Sequence, residues 1–457
     1  MTESAALGPT FKNELLTWAR LAVAALGVAG LLAFGLALPR FPGIKDFLSP
    51  DFFYRSLITH VVFSVVVWYL AALGALTVYA SGRVSARHGV STFPALGAAS
   101  KWLGVASFAF ILIPYLTGLG QPLINNYVPT LTHPLFHTGL VLLALAVALL
   151  VLRLGVILFR SRVSPQGIDF AIAASGVIYL IALGCFGIAW AQLPADLHEA
   201  TFNERLFWGG GHVLQFVYAL IAMTAWNLLA ERVAGQSQVS EPFFRLCAGV
   251  LTVLALPSLG IYAAFDVLSY ENREAFTQLL WYGLSLPPAV MLLASMAQLI
   301  RLKSTIAWTD PLTLGYALSL ALFAVGGVLG YFLGVSDTRT PSHYHAVIGG
   351  VNLALMTLYF SLILPLLGRA GFKPKVVRWM LGTYGVGQLI QIIGLYWAGA
   401  AGVPRKTAGA AQGLDSAAKK IAMGIQGGGA GIAIIGGIIF VWVVGLLLFR
   451  AKRGTDE

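Results

Sequence analysis

Apolar residues follow one another in long runs along almost the whole chain, and short polar stretches separate these runs. A helix of about 20 residues crosses the roughly 30 Å of hydrocarbon in a bilayer. Runs of this length predict twelve spans with soft boundaries, near 17–38, 53–80, 99–120, 134–159, 167–192, 206–230, 244–265, 275–300, 311–334, 342–368, 376–400 and 424–449. The pattern predicts an all-α integral membrane protein with a single twelve-helix domain over residues 1–457.

Composition agrees with this class and leaves little sequence for a water-soluble domain. The chain is 58% hydrophobic and only 10% charged, and its mean hydropathy is +0.82. The first apolar run follows no compact basic region and precedes no small-residue cleavage pattern, so we interpret it as a retained helix. Cys185 and Cys247 lie far apart inside apolar runs, and we expect both to be core residues.

The distribution of basic residues predicts the orientation in the membrane. An even number of spans puts both termini on one side, and 19 of the 29 Lys and Arg residues fall on that side against 10 opposite. Cytoplasmic loops carry the excess of basic residues, so both termini should be cytoplasmic. Much of the net charge of +11 is then topological, and a nucleic-acid partner is not needed to explain it.

Two histidines open the tenth span, in the stretch Ser342-His343-Tyr344-His345. Helical residues two positions apart point about 200° away from each other, so His343 and His345 should face nearly opposite sides of one helix. A single metal ion between them is therefore not expected. Two separate prosthetic groups that flank the helix would use both rings.

The predicted topology places two further histidines at a similar depth. His60 is early in span 2 and His212 early in span 6, and even-numbered spans all begin on the outer side. All four rings thus fall within roughly two to three helical turns of the outer boundary. Titratable side chains in a bilayer are costly and are commonly functional, although neutral imidazole costs less than a charged group.

Each histidine also has a structural explanation. His60 fits a packing role and a ligand role equally well, whereas two neighbouring buried rings at 343 and 345 favour ligands. The glycines before His212 allow a close approach to the backbone, by a functional group or by a crossing helix. The other four histidines favour interfacial or solvated roles: His133 and His137 at the start of span 4, and His88 and His198 in loops.

A haem held between histidines of different helices is a familiar use of such residues, because neutral imidazole is a good iron ligand. The simplest arrangement pairs His60 with one member of the span 10 pair. The other member would then be the protein ligand of a second haem with one open face. An open iron position binds small gases, and this is the chemistry of a respiratory reductase.

The order of these motifs resembles catalytic subunit I of the haem-copper oxidase superfamily, with the closest likeness to B-type oxidases. That family has twelve spans, a helix II histidine, a helix VI GH motif, a helix X HxH motif and a PR-basic pair after helix XI. The corresponding residues here are His60, Gly211-His212, His343-Tyr344-His345 and Gly402-Val403-Pro404-Arg405-Lys406.

The resemblance implies two haems and a role for each motif. His60 and His345 would ligate a low-spin haem, and His343 a high-spin haem. Arg405 and Lys406 would bind haem propionates, a role that suits a basic pair because propionates are anionic.

The sequence departs from the family at the copper site. In the family, copper takes one histidine from helix VI and an adjacent pair from helix VII. His212 matches the first, but Ile261 and Tyr262 stand where the pair should fall. The tyrosine expected four residues after His212 is replaced by Phe216. One imidazole does not make a tight copper site, so we expect copper to be absent or its site remodelled.

Three functions remain open. The first is a reductase of oxygen or nitric oxide at the His343 haem, with His212 and Tyr262 as further catalytic residues and His212 as a weak ligand of any second metal. The second is a dihaem cytochrome that passes electrons or senses a gas. The third is a non-catalytic structural paralogue, against which the retention of three haem-ligand positions argues.

The chain lacks a CxxCH haem-attachment motif and a cupredoxin-like cysteine pair. We therefore expect a separate electron donor, a subunit II or a cytochrome c on the outer side. The expected location is the inner (cytoplasmic) membrane, which the chain crosses repeatedly.

Overall fold

Twelve long helical segments run through the part of the chain that the computed structural model describes, residues 7–37, 50–369, 371–407 and 409–450. They are α1 (Pro9–Ala37), α2 (Asp51–His88), α3 (Pro94–Thr117), α4 (Pro134–Ser161), α5 (Gly167–Gln192), α6 (Glu199–Ala234), α7 (Glu241–Ala264), α8 (Tyr270–Arg301), α9 (Pro311–Phe332), α10 (Arg339–Leu366), α11 (Pro374–Ala400) and α12 (Ala417–Phe449). The predicted twelve-helix fold is confirmed. The single-domain organisation stays a prediction, and residues 1–6 and 451–457 at the two termini lie outside the described residues.

Most helices extend beyond the apolar runs from which they were predicted. α6, for example, starts at Glu199 rather than near 206, and α12 starts at Ala417 rather than near 424. Eleven of the twelve are long and apolar enough to cross a membrane, and α11 joins them as a 27-residue helix with five glycines and several polar side chains. Helical backbone bonds continue into these polar ends, so hydropathy marks the lipid-crossing part rather than the helix ends.

Three helices form the centre of the bundle. Burial can be compared over one apolar window of eighteen residues in each of eleven helices. The buried share of this window is 83% in α2, 89% in α6 and 89% in α10, and 28–56% in the other eight helices. These three carry His60, His212 and the His343–His345 pair. Of these histidines, His212 is buried and the other three are partly buried.

Polar side chains tie the central helices together. The Tyr69 hydroxyl on α2 donates to the Ile348 carbonyl on α10 at 3.2 Å, and the Tyr69 ring lies 4.7 Å from that of Tyr218 on α6. The Trp68 indole N–H donates to Asn352 on α10 at 3.0 Å. Hydrogen bonds of this kind satisfy polar groups that have no water to bind. They fix α2 against α10, and the ring contact packs α6 against α2.

Away from this centre, one ion pair joins the first and fourth helices. The Arg153 guanidinium on α4 donates to both carboxylate oxygens of Glu14 on α1, at 3.0 and 2.6 Å, and Arg153 is fully buried. Bidentate pairs of this type are strong and geometrically specific. The pair fixes α1 against α4 near the end of the bundle where α1 begins.

A small hairpin closes the loop between α3 and α4. Strand β1 (Pro122–Leu123) pairs antiparallel with β2 (Thr130–Leu131), with Pro122 opposite Leu131 and Leu123 opposite Thr130. The hairpin holds residues 124–129 as a tight loop whose members line the central cavity.

Candidate haem cavity

One large cavity of about 1710 Å³ lies among the central helices. Its wall comes from α1, α2, α6, α8, α9, α10, α11 and α12, and from the loops that precede α4 and α12. Ordinary small-molecule pockets occupy about 300–1,000 Å³. A mostly apolar cavity of this size fits more than one large planar group.

Four of the sequence-predicted histidines meet in this wall: His60, His212, His343 and His345. His343 and His345 both reach the cavity although their positions differ by about 200° around α10. The aromatic ring of Tyr344 lies 5.1 Å from the His345 ring. The arrangement is compatible with two groups on different sides of α10, as the spacing predicts.

Two of these rings have a defined tautomer. His60 donates from Nδ1 to the Ala29 carbonyl at 2.9 Å, and His343 donates from Nδ1 to the Gly326 carbonyl at 2.7 Å. An imidazole whose Nδ1 carries the proton keeps its lone pair on Nε2. Backbone carbonyls hold metal-ligating histidines in this way, because the bond orients the ring and makes it a better ligand. The chemistry of His60 and His343 therefore fits haem iron.

His212 is bonded at both nitrogens. Nδ1 donates to the Trp208 carbonyl at 2.7 Å, and Nε2 accepts from the Tyr127 hydroxyl at 2.8 Å. Only 1% of His212 is exposed. Burial raises the pKa of the Tyr127 phenol, so this hydroxyl stays protonated and donates.

Tyr127 is a cavity residue that the sequence did not reveal. It lies in the loop between β1 and β2, and its backbone N–H donates to the Asn125 side chain at 3.0 Å. The sequence signal was Gly211: a Cβ at this position would overlap the Tyr127 ring. The close approach that glycine allows before His212 is thus made by a loop tyrosine.

The basic pair Arg405 and Lys406 lies on the rim of the cavity. The Arg405 backbone N–H donates to the Ser336 carbonyl at 3.0 Å, and Lys406 donates from Nζ to the Asn125 carbonyl at 3.1 Å. Burial and the neighbouring Arg405 lower the pKa of Lys406. Two adjacent cations on an apolar cavity fit the carboxylates of haem propionates.

Tyr262 and Ile261 lie outside the cavity wall, although both are buried. The Tyr262 ring packs against Phe276 at 5.3 Å, and Phe276 packs against His212 at 5.8 Å. Among the described residues, no three His, Cys, Asp or Glu side chains are grouped so that they could hold a metal ion. Neither a second metal at His212 nor a catalytic role for Tyr262 is tested by this arrangement, and both stay predictions.

An ion pair next to the basic rim predicts a pH-dependent contribution to stability. Arg339 donates to Asp337 at 2.8 Å, and Asp337 forms an isolated β-bridge with Pro404, which precedes the basic pair. Hydrogen bonds from Arg339 hold the pKa of Asp337 below its ordinary value of 3.8. A lowered pKa stabilises the fold above the unfolded value, and this stabilisation is lost as the pH falls through the folded value.

We expect Asp337→Asn to lower the thermal unfolding midpoint in detergent at pH 6. The difference from wild type should shrink as the pH falls from about 3.8 through the lower folded-state pKa of Asp337, because the unfolded carboxylate is protonated first and the folded one last. Thermal unfolding of both proteins across this range tests the expectation. A difference that stays constant with pH would mean that the ion pair contributes nothing through its charge.

Known proteins resemble this chain over most of its length. The family model for "Cytochrome C and Quinol oxidase polypeptide I" matches residues 15–442. An uncharacterized protein of Aquifex aeolicus is 30% identical over 75% of this chain and 83% of its own length, and one of Rickettsia prowazekii is 24% identical over 95% and 96%. Cytochrome c oxidase subunit 1 of Thermus thermophilus is 22% identical over 78% of this chain and 69% of its own length.

The fold has a counterpart among solved structures. A haem-copper terminal oxidase, solved as a dimer, superposes with a TM-score of 0.76 at 18% identity, over 98% of this chain and 85% of that one. At this identity the likeness concerns the fold, and the family match carries the assignment. The chain therefore belongs to the cytochrome c and quinol oxidase polypeptide I family, the subunit I family of the haem-copper oxidases, and has a respiratory oxidase-type function.

Proposed function

We propose that this chain is a haem-binding respiratory subunit that takes electrons from an outer-side donor and reduces oxygen or nitric oxide. The observation that carries the proposal is the meeting of His60, His343 and His345 in one apolar cavity with a basic pair on its rim. The backbone bonds that hold Nδ1 of His60 and His343 support a ligand role for both rings.

The residues divide between two haems. His60 and His345 would hold the low-spin haem, and His343 would hold the high-spin haem from one side. A bound haem supplies electron transfer at the first position and an open iron site for a small gas at the second. Arg405 and Lys406 would pair with propionates and so fix the depth and rotation of the groups.

The remaining residues act on the surroundings. The apolar wall excludes water from the space between the histidines, which strengthens the electrostatic interactions inside. His212 would act from the wall as a polar group near the gas. Tyr262 could act only through the ring contacts that connect it with Phe276 and His212.

A donor subunit or a cytochrome c would approach the end of the bundle that carries Arg405 and Lys406. This end is the outer side in the topology predicted from the basic residues. An acidic face on the donor would complement the partly exposed cation Arg405.

A second function has its own supporting observation. The hydroxyl of Tyr127 already bonds His212 at 2.8 Å, and Ile261 and Tyr262 replace a histidine pair. A dihaem cytochrome that transfers electrons or senses a gas would need no second metal there. A structural paralogue that binds no haem has less support, because it would not need three imidazoles in one cavity.

Spectroscopy of the purified, haem-loaded chain separates these functions. We expect two haems per chain by the pyridine haemochrome assay and a carbon monoxide difference spectrum from one of them. Less than one haem per chain would favour the structural paralogue. Two haems without a carbon monoxide shift would favour electron transfer, and a shift without consumption of oxygen or nitric oxide from a reduced artificial donor would favour sensing.

A further inference from the structure

We propose that Tyr127 and His212 form a hydrogen-bonded pair in the wall of the cavity that replaces a copper ion, and that Tyr127 is its positioning residue. The inference rests on the proposed function, since the pair would act on a gas held in that cavity. It assigns a role to a loop residue that lies outside every motif of the sequence.

Both nitrogens of the His212 ring already take part in hydrogen bonds. His212 gives its Nδ1 proton to the Trp208 carbonyl at 2.7 Å and receives the Tyr127 hydroxyl proton at Nε2, at 2.8 Å. A copper ion at Nε2 would displace the Tyr127 hydroxyl, and a copper ion at Nδ1 would displace the Trp208 carbonyl. At either nitrogen the metal would have to break a buried hydrogen bond.

Tyr127 is held in place on several sides. Its ring lies 4.4 Å from the His212 ring and meets the Trp208 ring edge-on at 5.4 Å. Gly211 leaves the space that the Tyr127 ring fills, and any larger side chain there would overlap it. Asn125 fixes the Tyr127 backbone at 3.0 Å, and the hairpin closes the loop.

The described residues also offer His212 no partners for a metal site. Ile261 and Tyr262 lie outside the cavity wall, and no group of three His, Cys, Asp or Glu side chains suited to a metal occurs within the described ranges. One imidazole that already accepts a hydrogen bond does not make a tight copper site. The donor set of this cavity thus disagrees with the copper centre that the fold family implies.

The pair can serve the gas without a metal. Its bonds fix the ring of His212 as a neutral acceptor and fix the phenol of Tyr127 beside it, in the same cavity wall as Gln215. Fixed dipoles in a water-free site interact strongly with a small polar ligand. Tyr127 determines the orientation of these dipoles, because its hydroxyl is the donor that occupies Nε2.

Copper content tests the first part of the proposal. The haem-loaded wild-type chain and the His212→Ala variant are incubated with copper, desalted and analysed for metal. We expect wild-type copper to stay at the level of His212→Ala. Stoichiometric copper in the wild type that His212→Ala removes would overturn the proposal, and this result does not depend on haem being present.

The infrared spectrum of the carbon monoxide complex tests the second part. We expect Tyr127→Phe and His212→Ala each to shift the C–O stretching band, and the double variant to shift it no further, because the two residues act as one unit. Tyr218→Phe is the matched control, a half-buried cavity tyrosine whose ring contacts Tyr69 instead. It should leave the band in place.

Additive shifts, or a band that Tyr127→Phe leaves unmoved, would overturn the role of Tyr127. A wild-type chain that gives no carbon monoxide band at all would instead contradict the proposed function. The copper measurement still decides whether the pair excludes the metal in that case.

Discussion

His343→Ala is expected to abolish the carbon monoxide difference spectrum and all gas-dependent turnover, while the low-spin haem spectrum survives. The reason is that His343 alone would hold the high-spin haem, through the Nε2 lone pair that its Nδ1 bond to Gly326 defines. His345 and His60 remain in this variant, so the low-spin site stays complete. Optical spectra of the reduced protein with and without carbon monoxide provide the measurement.

Two further variants make this test sharp. His345→Ala should show the reverse pattern, with loss of the low-spin spectrum. Tyr344→Phe changes the residue between the two histidines and should preserve both signals. Loss of the low-spin haem in His343→Ala would mean that the two rings have exchanged roles.

Arg153→Ala is expected to destabilise the protein by about 3–5 kcal/mol, because it leaves the Glu14 carboxylate buried without its partner. Glu14 is 4% exposed and both of its oxygens accept from Arg153. The space around the pair is closed as well, since a Cβ at Gly97 on α3 would overlap both charged groups. Reversible unfolding of the purified protein in mixed micelles gives the free energy.

The double variant Arg153→Met with Glu14→Leu separates charge from packing. Well-packed apolar residues often replace a buried ion pair at little cost, so the double variant should recover most of the loss. A single Arg153→Ala variant that unfolds like wild type would show that Glu14 is solvated or protonated in the folded protein.

Much of the architecture could be predicted because lipid imposes it. Every span needs a long apolar helix, so the runs that predict α4 or α5 also give their limits to within a few residues. The meeting of His60, His343 and His345 followed from their equal depth and from the spacing within α10. These relations depend on helix geometry and topology, which sequence patterns carry well.

Loop residues were harder to place. The role of Tyr127 depends on a contact with His212, 85 positions away along the chain, and no periodic pattern encodes such a contact. Gly211 was the available signal, but a missing side chain does not name the group that fills the space. Tyr262 illustrates the same limit: its position in the sequence corresponds to a ligand position of the resembled family, and only the fold shows that its ring packs against Phe276.

The cavity wall joins the two ends of the chain, which has a consequence for biogenesis. α1 contributes Ala29, whose carbonyl orients His60, and α12 contributes Gln426 and Phe440. The chamber is therefore incomplete until the last helix has left the ribosome and entered the membrane. A haem bound as proposed would therefore find its complete site only after α12 has entered the membrane, and a nascent chain stalled before residue 417 would lack that part of the wall.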